Sequence, residues 1–177
     1  TRDSNTAAMQ LIASELDTIF EEAKLLEYSI QNNRTVKETA KISMPLNADK
    51  RFLLSKAGKE VTSYIGSKKW INSWYVFLTE SEMCLIPSEG YLGAYVTFDE
   101  LYKRFGQNCG LSKEDWKVIL KQQNKREILY NSNSRTFSYI TSLPIRSSLV
   151  TMNIIFEFNS DYVQKTLSHL DSMKNSG

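Results

Sequence analysis

The side chains that most often carry enzyme chemistry are scarce in this sequence. His169 is the single histidine, and the seven glycines form neither a GxGxxG nor a GxxxxGK[ST] phosphate-binding loop. A serine or cysteine nucleophile could therefore be activated by imidazole only at that one position. Two acidic pairs, Glu80/Glu82 and Glu114/Asp115, have the residue types of a catalytic carboxylate pair. The first pair is explained by its position in a turn, and the second by its position in the first turn of a helix. The sequence predicts that the protein is not an enzyme.

The cysteines and the net charge exclude further classes of site. Cys84 and Cys109 belong to no CxxC motif and no Cys/His cluster, so we expect neither a metal nor a cofactor. The sequence leaves open whether the two thiols form a disulfide. The formal net charge of +2 is too small for a nucleic-acid groove, which needs a strong basic bias.

Charge is unevenly distributed along the first part of the chain. Residues 1–30 carry a net charge of −4, and residues 34–69 carry a net charge of +6. Two interpretations stay open: attraction between an acidic helix and a basic segment, or a solvated charged face.

Aromatic and arginine side chains supply the material for a small-ligand cavity, which is mostly apolar with a few convergent polar groups. Strand alternation places Arg135, Phe137, Tyr139 and Thr141 on one face of their strand. If that face lines a cleft, an arginine could hold a carboxylate and Tyr139 could stack on a ligand. The alternative is that the aromatic residues are core and the arginines are solvated. The predicted ligand-binding residues are Tyr75, Tyr95, Trp116, Arg126, Arg135 and Tyr139.

A long amphipathic helix precedes everything strand-like in the chain. Its apolar residues alternate steps of three and four, as in a heptad seam. The spacing predicts one helix over about Ser4–Asn32, whose C-terminal half packs on a sheet while its N-terminal half is more exposed. The seam could also serve as a stalk or dimer contact rather than a core element. Its residues are Met9, Ile12, Leu16, Ile19, Ala23, Leu26 and Ile30.

The next elements are a connector, a helix and a hairpin. Arg34–Leu46 is polar and contains Pro45, which is typical of a connector. Asp49 is expected to cap a helix over Lys50–Ile65, which Gly66 can end. The apolar positions of that helix are Phe52, Leu53, Ala57, Val61, Tyr64 and Ile65. A hairpin is predicted from strands Trp70–Thr79 and Glu82–Ile86, in which Ser73, Tyr75 and Phe77 share one face and Trp74, Val76 and Leu78 the other.

The remainder alternates short helices and strands. After a loop over Pro87–Gly93, helices are predicted at Phe98–Phe105 and Ser112–Gln123, the second with Ser112 as its N-cap. Three strands follow, and a last helix directs Val163, Leu167 and Leu170 inward and His169 outward. The strands are Arg126–Tyr130, Arg135–Leu143 and Leu149–Phe158, and the helix is Ser160–Met173.

This element order predicts an α+β fold with a five-stranded antiparallel sheet of the PAS-like kind. A long N-terminal helix, flanking helices and a C-terminal helix complete it. We expect residues 1–33 to form a stalk helix and residues 34–177 to form the PAS-like domain on which it packs. The crossing over Pro87–Asn124 contains glycines at 90, 93, 106 and 110, which favours a movable lid over a ligand.

Several segments together resemble the extracellular Cache sensor domain of membrane-anchored bacterial regulators, both AraC-type transcription regulators and sensor histidine kinases. The resemblance covers nearly the whole chain and depends on the order of the motifs. The matching segments are Ser14–Phe20, Ile71–Leu78, Met83–Ile86, Phe98–Tyr102, Leu111–Lys117, Ser138–Pro144 and Leu149–Phe156. The Tyr/Arg/Trp/Tyr/Asp set that binds amino acids in some Cache receptors is not clearly matched. A second, membrane-proximal Cache module, frequent in such families, has no counterpart in these residues.

The resemblance implies an extracellular domain that binds a small molecule or cell-wall-derived solute and transmits the change through its first helix. It implies contact with a membrane only through flanking segments, and it allows a homodimer through the N-terminal helix. The alternative is a protein–protein interaction or dimerisation module without a small ligand. An intracellular PAS-like regulatory domain is a third interpretation. The sequence names neither the ligand nor the output domain.

Overall fold

A computed structural model describes residues 2–66, 68–87, 94–104, 111–122, 126–131, 135–144, 149–165 and 168 of the 177-residue chain. Within these ranges lie five helices, the start of a sixth at residues 160–165, and six strands. The helices are α1 (Arg2–Asn32), α2 (Arg34–Thr39), α3 (Ala48–Ile65), α4 (Phe98–Arg104) and α5 (Lys113–Lys121). The strands are β1 (Ile71–Leu78), β2 (Met83–Leu85), β3 (Tyr95–Thr97), β4 (Arg126–Asn131), β5 (Thr136–Leu143) and β6 (Met152–Phe158).

The six strands form one antiparallel sheet in the order β3-β2-β1-β6-β5-β4. This confirms the α+β class with a long N-terminal helix, but the sheet has one strand more than the five expected. The additional strand, β3, pairs Val96 with Cys84 and covers the edge of the predicted hairpin. Three residues are too few to show a strand period in the sequence.

Helix α1 divides at mid-length into an exposed half and a buried half. Met9 is 72% exposed and Leu16 is 42% exposed, whereas Ala23 and Ile30 are at most 1% exposed. The predicted split of the apolar seam is therefore confirmed. Burial begins at Ile19 because the sheet supports the helix only from that residue onward.

The caps of α2 and α3 differ from the sequence-based expectation. α2 lies inside the segment predicted as a connector, and the Asn33 side chain caps it by accepting from the Val36 amide at 2.8 Å. In α3 the cap is Asn47, which accepts from the Lys50 amide at 2.9 Å, so the expected cap at Asp49 is wrong. Both asparagines satisfy a backbone N–H that the first helical turn leaves free.

Helix α3 buries a narrower stripe than its apolar spacing suggests. Phe52 is 70% exposed and Tyr64 is 38% exposed, while Leu54 and Gly58 face the sheet. A Cβ at Gly58 would lie 2.4 Å from the Cβ of Ala94, so glycine is required for this close approach. Gly66 ends the helix with φ of +41°, in the region that favours glycine.

The sheet is buried on both faces, and each face packs on different helices. We call the face covered by α1, α2 and α3 the helix face; it includes Trp74, Val76 and Leu78 of β1. The opposite face, covered by α4 and α5, we call the crossing face; it includes Tyr75 and Phe77. The predicted alternation of β1 is therefore confirmed, and each face has its own apolar core.

The chain resumes a helical conformation after β6. Residues 160–165 are helical and begin the predicted last helix, whereas Leu167, His169 and Leu170 lie outside the described residues. The four lid glycines, Tyr91 and Cys109 also lie outside them. None of the helices in the described ranges combines the length and apolarity needed to cross a bilayer.

Candidate functional site

The structure distributes five of the six predicted ligand residues over two faces of the sheet. Tyr75 and Trp116 lie in the core of the crossing face. Tyr139 lies in the core of the helix face, and Tyr95 packs against that same core. Arg126 pairs in register with Thr141 and reaches the helix face too, where it contacts α1. The six residues therefore do not form one site.

Arg135 stands apart from the other five predicted residues. It is exposed and directly precedes β5 with φ of +55°, a left-handed conformation at the turn that leads into the strand. The predicted face of β5 is correct, since Tyr139 and Thr141 point the same way. Helix α1 covers this face, however, whereas we expected the crossing segment to do so.

The crossing face holds two buried polar atoms without a hydrogen-bond partner. They are the indole Nε1 of Trp116 on α5 and the amide Oδ1 of Asn153 on β6, and no described residue pairs with either. Trp116 is 2% exposed and Asn153 is fully buried. Leaving a buried polar group unsatisfied costs about 1–3 kcal/mol, so such groups are rare in folded proteins. The crossing face thus holds one free donor on α5 and one free acceptor on β6.

Helix α5 is fixed above these atoms by a cap and by direct contacts to the sheet. Ser112 caps the helix by accepting from the Asp115 amide at 3.1 Å, which directs Trp116 and Leu120 inward. The Asn153 side-chain NH₂ donates to the backbone carbonyl of Leu120. Because Leu120 lies about one turn beyond Trp116, Asn153 connects the sheet to the segment that carries the free indole.

A cluster of charges also holds α5 from the outside. The Nζ atoms of Lys117 and Lys121 each lie 2.7 Å from a carboxylate oxygen of Glu82. Hydrogen bonds from Lys117 and Lys121 lower the pKa of Glu82 below its usual range. Lys113 makes a further pair with Asp99 at 2.8 Å, which joins α5 to α4. These pairs are partly exposed, and each contributes little to stability on its own.

The thiol on the crossing face is not suited to nucleophilic chemistry. Cys84 is a free cysteine with no exposed surface, and desolvation raises its pKa far above the usual range. Its thiol therefore stays protonated. The described residues also include no group of three His, Cys, Asp or Glu side chains that could hold a metal ion. The chemistry available on this face is hydrogen bonding and apolar contact.

A buried carboxylate joins α1 to the edge of the sheet on the helix face. Glu27 is fully buried; Arg126 donates to it from Nη2 at 2.7 Å, and the Tyr139 hydroxyl donates to its other oxygen. Burial raises the pKa of Tyr139 above its usual range, and the hydrogen bond to Glu27 raises that pKa further. The Tyr139 ring stacks on Phe156 with centroids 6.3 Å apart. We call Glu27, Arg126 and Tyr139 the junction.

A cleft of about 710 Å³ opens beside the junction, between α1 and β4. Its floor is apolar and its rim carries charges of both signs, among them the ion pair between Lys24 and Glu21 at 2.7 Å. The cleft thus reaches the predicted ligand residues Arg126 and Tyr139. It is lined by Asp17, Phe20, Glu21, Lys24, Arg126, Glu127, Ile128 and Tyr139.

Two residues that shape these sites were not predicted from the sequence. In the sequence, Glu27 occupies a polar position beside the apolar residues of the heptad seam. In the structure, it lies one turn after Ala23, on the side of α1 that the sheet covers. Asn153 interrupts the apolar run of β6, and a single amide inside a buried strand was the available signal.

The chain matches no protein-family model and no curated protein in sequence. Its fold, however, is found among solved structures. The sensory domain of the Campylobacter jejuni chemoreceptor Tlp3 (CcmL) with isoleucine bound has a TM-score of 0.60 to this chain at 12% identity. The alignment covers 93% of this chain and 60% of that one. The chain has the fold of a chemoreceptor sensory domain.

Two further solved structures show the same likeness. The Tlp3 ligand-binding domains in complex with L-norvaline and with L-valine each have a TM-score of 0.61 at 12% identity. These alignments also cover 93% of this chain, and 59% and 60% of the others. The chain therefore spans about 60% of the length of the structures it resembles. The α+β architecture with a long N-terminal helix that the sequence predicts is the fold of these sensory domains.

Proposed function

We propose that this chain is a ligand-sensing domain that binds a small solute on the crossing face of the sheet, beneath α5. The observation that carries the proposal is the pair of unpartnered buried atoms, Trp116 Nε1 and Asn153 Oδ1. A solute with one acceptor and one donor would satisfy both atoms and recover their desolvation cost. The shared fold supports this proposal, because the Tlp3 domain of that fold was solved in three structures with isoleucine, L-norvaline or L-valine bound.

The chemistry of the face indicates the class of solute. The surroundings of the two polar atoms are apolar, with Tyr75, Phe77 and Ile155 on the sheet and Leu120 on α5. A small solute with an aliphatic body and a polar head fits this mixture. Aliphatic amino acids belong to this class, since a carboxylate accepts hydrogen bonds and an ammonium group donates them.

The sheet offers a short route from the crossing face to α1. Asn153 is followed by Ile154, which pairs in register with Thr141 of β5, and Thr141 pairs with Arg126 of β4. Arg126 in turn bonds Glu27 of α1 at 2.7 Å. A solute that shifts β6 by a fraction of an ångström would therefore shift the junction that fixes α1 to the sheet. This is the route by which binding reaches the first helix.

The cellular setting belongs to the same proposal. An extracellular domain anchored through flanking membrane segments would place α1 in line with the membrane and carry the signal to an AraC-type or histidine kinase output. A homodimer through α1 would bury the exposed apolar side chains Met9, Leu11 and Leu16 in its N-terminal half. Residues 1–33 act in this proposal as the stalk, and residues 34–177 as the sensor.

Thermal-shift measurements test the proposal directly. We expect the melting temperature to rise with L-valine, L-isoleucine or another small aliphatic solute, since binding at a hundred times Kd adds about 2.7 kcal/mol of stability. Trp116→Phe should weaken that binding, because it removes the indole N–H and little volume. Trp70→Phe is the matched control: its indole donates to Glu22 at 2.7 Å on the helix face, so its loss should leave affinity unchanged.

A protein-interaction or dimerisation module is the second candidate function. The exposed half of the α1 seam favours it, as does the filling of the described crossing face by Phe98, Leu101 and Trp116. Absence of any thermal shift across amino acids, sugars, short peptides and carboxylates, together with a stable dimer in solution, would select this candidate over ligand sensing.

A further inference from the structure

A separate pocket of about 360 Å³ lies at one end of the sheet, where β5 ends and β6 begins. It lies between those strand ends, the last turn of α1 and the segment around α2. It shares no residue with the crossing face or with the cleft beside the junction. We call it the end pocket. Its lining residues are Gln31, Lys37, Ala40, Lys41, Leu143, Pro144, Thr151 and Met152.

The described charges of the end pocket are positive. Lys37 and Lys41 line it, and none of the described lining residues is acidic. Both lysines are exposed; Lys37 lies in the last turn of α2, and Lys41 lies two residues beyond the end of that helix. Within the described part of the chain, neither ammonium group forms an ion pair with a carboxylate.

Three other cations of the same basic segment lie beside a carboxylate. Arg34 pairs with Glu38 at 3.0 Å, and Lys56 lies 3.9 Å from Glu60. Lys68 lies 3.7 Å from Glu22 of α1, so attraction between the acidic helix and the basic segment exists at that point. The positive charge that the sequence places in residues 34–69 therefore stays uncompensated at the end pocket.

The floor of the end pocket is apolar. Leu143 and Met152 belong to the helix-face core and are at most 3% exposed, and the ring of Pro144 and the methyl group of Ala40 add to the wall. An inorganic anion has no apolar surface to bury on such a floor. An anion with an aliphatic body would gain binding free energy by burying that body there. Two lysines above an apolar floor are thus complementary to a charged head on a short hydrocarbon chain.

We propose that the end pocket binds a small organic carboxylate, with its charged head between Lys37 and Lys41 and its aliphatic body on Leu143 and Met152. Carboxylate suits this arrangement because lysine ammonium groups act as mobile point charges and demand no bidentate geometry. The site is independent of the proposed solute site beneath α5. Gln31 of α1 also lines the pocket, so a bound carboxylate would lie against the helix that the proposed function assigns to signalling.

Titration of the intact chain with butyrate, followed by two-dimensional amide NMR, tests the proposal. Butyrate should shift the amide signals of Ala40 and Thr151, and binding should weaken as salt is added because it depends on charge. Acetate should bind more weakly, since each buried methylene contributes about fourfold in affinity. Butyramide, which has the same body without the charge, should show no saturable shift at these amides.

Two matched double variants separate the site from general electrostatics. Lys37→Gln with Lys41→Gln should weaken butyrate binding by about tenfold, the sum expected from two exposed charge contacts. Lys59→Gln with Lys69→Gln removes the same charge from exposed positions outside the pocket and should leave affinity unchanged. Equal weakening by both variants, butyramide binding as tight as butyrate, or shifts confined to other amides would overturn the proposal.

Discussion

Glu27→Gln and Arg126→Met should differ in their cost to stability, although they remove two partners of one ion pair. Arg126→Met leaves an ionised carboxylate that is fully buried, with the Tyr139 hydroxyl as its remaining donor. Glu27→Gln leaves a neutral amide whose oxygen can still accept from Tyr139. The Arg126 side chain is 44% exposed, so it can be solvated when its partner is neutral.

The expected magnitudes follow from these environments. Removing one partner of a buried pair typically costs 3–5 kcal/mol, because the other charge is left uncompensated, and we expect Arg126→Met to cost about 3 kcal/mol or more. Glu27→Gln should cost about 1 kcal/mol, the value of one hydrogen bond to a group that can reach water. The double variant should cost less than Arg126→Met alone, because the second change removes the buried charge.

Urea denaturation at pH 7, followed by tryptophan fluorescence, measures all three variants and completes a double-mutant cycle. We expect a coupling free energy of about 2–3 kcal/mol between the two positions. Arg34→Met is the matched control, since it breaks the exposed pair with Glu38 and should change stability by less than about 0.5 kcal/mol. A double variant whose cost equals the sum of the single costs would refute the buried-charge argument.

Three further variants test other parts of the account. Ile19→Pro should break α1 where its seam enters the core and cost about 3 kcal/mol or more, with a loss of helical circular dichroism. Gly58→Ala should lower the free energy of unfolding in urea by about 1–3 kcal/mol, because the new Cβ would lie 2.4 Å from the Cβ of Ala94. A gain in stability would show that α3 and the segment at Ala94 can move apart at no cost. Burial raises the pKa of Glu157, so its ionised form destabilises the fold above that pKa. Glu157→Gln should therefore stabilise at pH 7, and this gain should vanish below about pH 4, where both states of the wild-type carboxyl are protonated.

The sequence predicted the helices and strands best where a period repeats. The α1 seam runs through seven apolar positions, and the two-residue period of a strand assigns the continuous apolar run of β1 to alternate faces, so both elements and their faces were predicted correctly. α2 was missed because its six residues show no apolar period. It is held by tertiary contacts instead: Asn33 and Thr35 both bond Glu60 of α3, at 2.7 and 3.1 Å.

The candidate sites were harder to predict because they depend on which helix covers which face. The sequence indicates that Tyr139 and Thr141 share a face, but it does not specify that α1, more than a hundred residues earlier, packs against it. Tyr75 and Trp116 both lie in the core of the crossing face, Tyr75 on the sheet and Trp116 on the crossing segment itself. The role of Asn153 depends on its contact with Leu120, which a local pattern does not contain.

The indole N–H signals of the three tryptophans provide the most direct test of ligand sensing beneath α5. Phenylalanine variants assign the signals in a two-dimensional NMR spectrum, and the wild-type chain is then titrated with L-valine, L-isoleucine and other small aliphatic solutes. The account predicts that a binding solute shifts the Trp116 signal saturably and leaves that of Trp70, already bonded to Glu22, in place. A Trp116 signal that stays unchanged while a solute demonstrably binds would contradict the account.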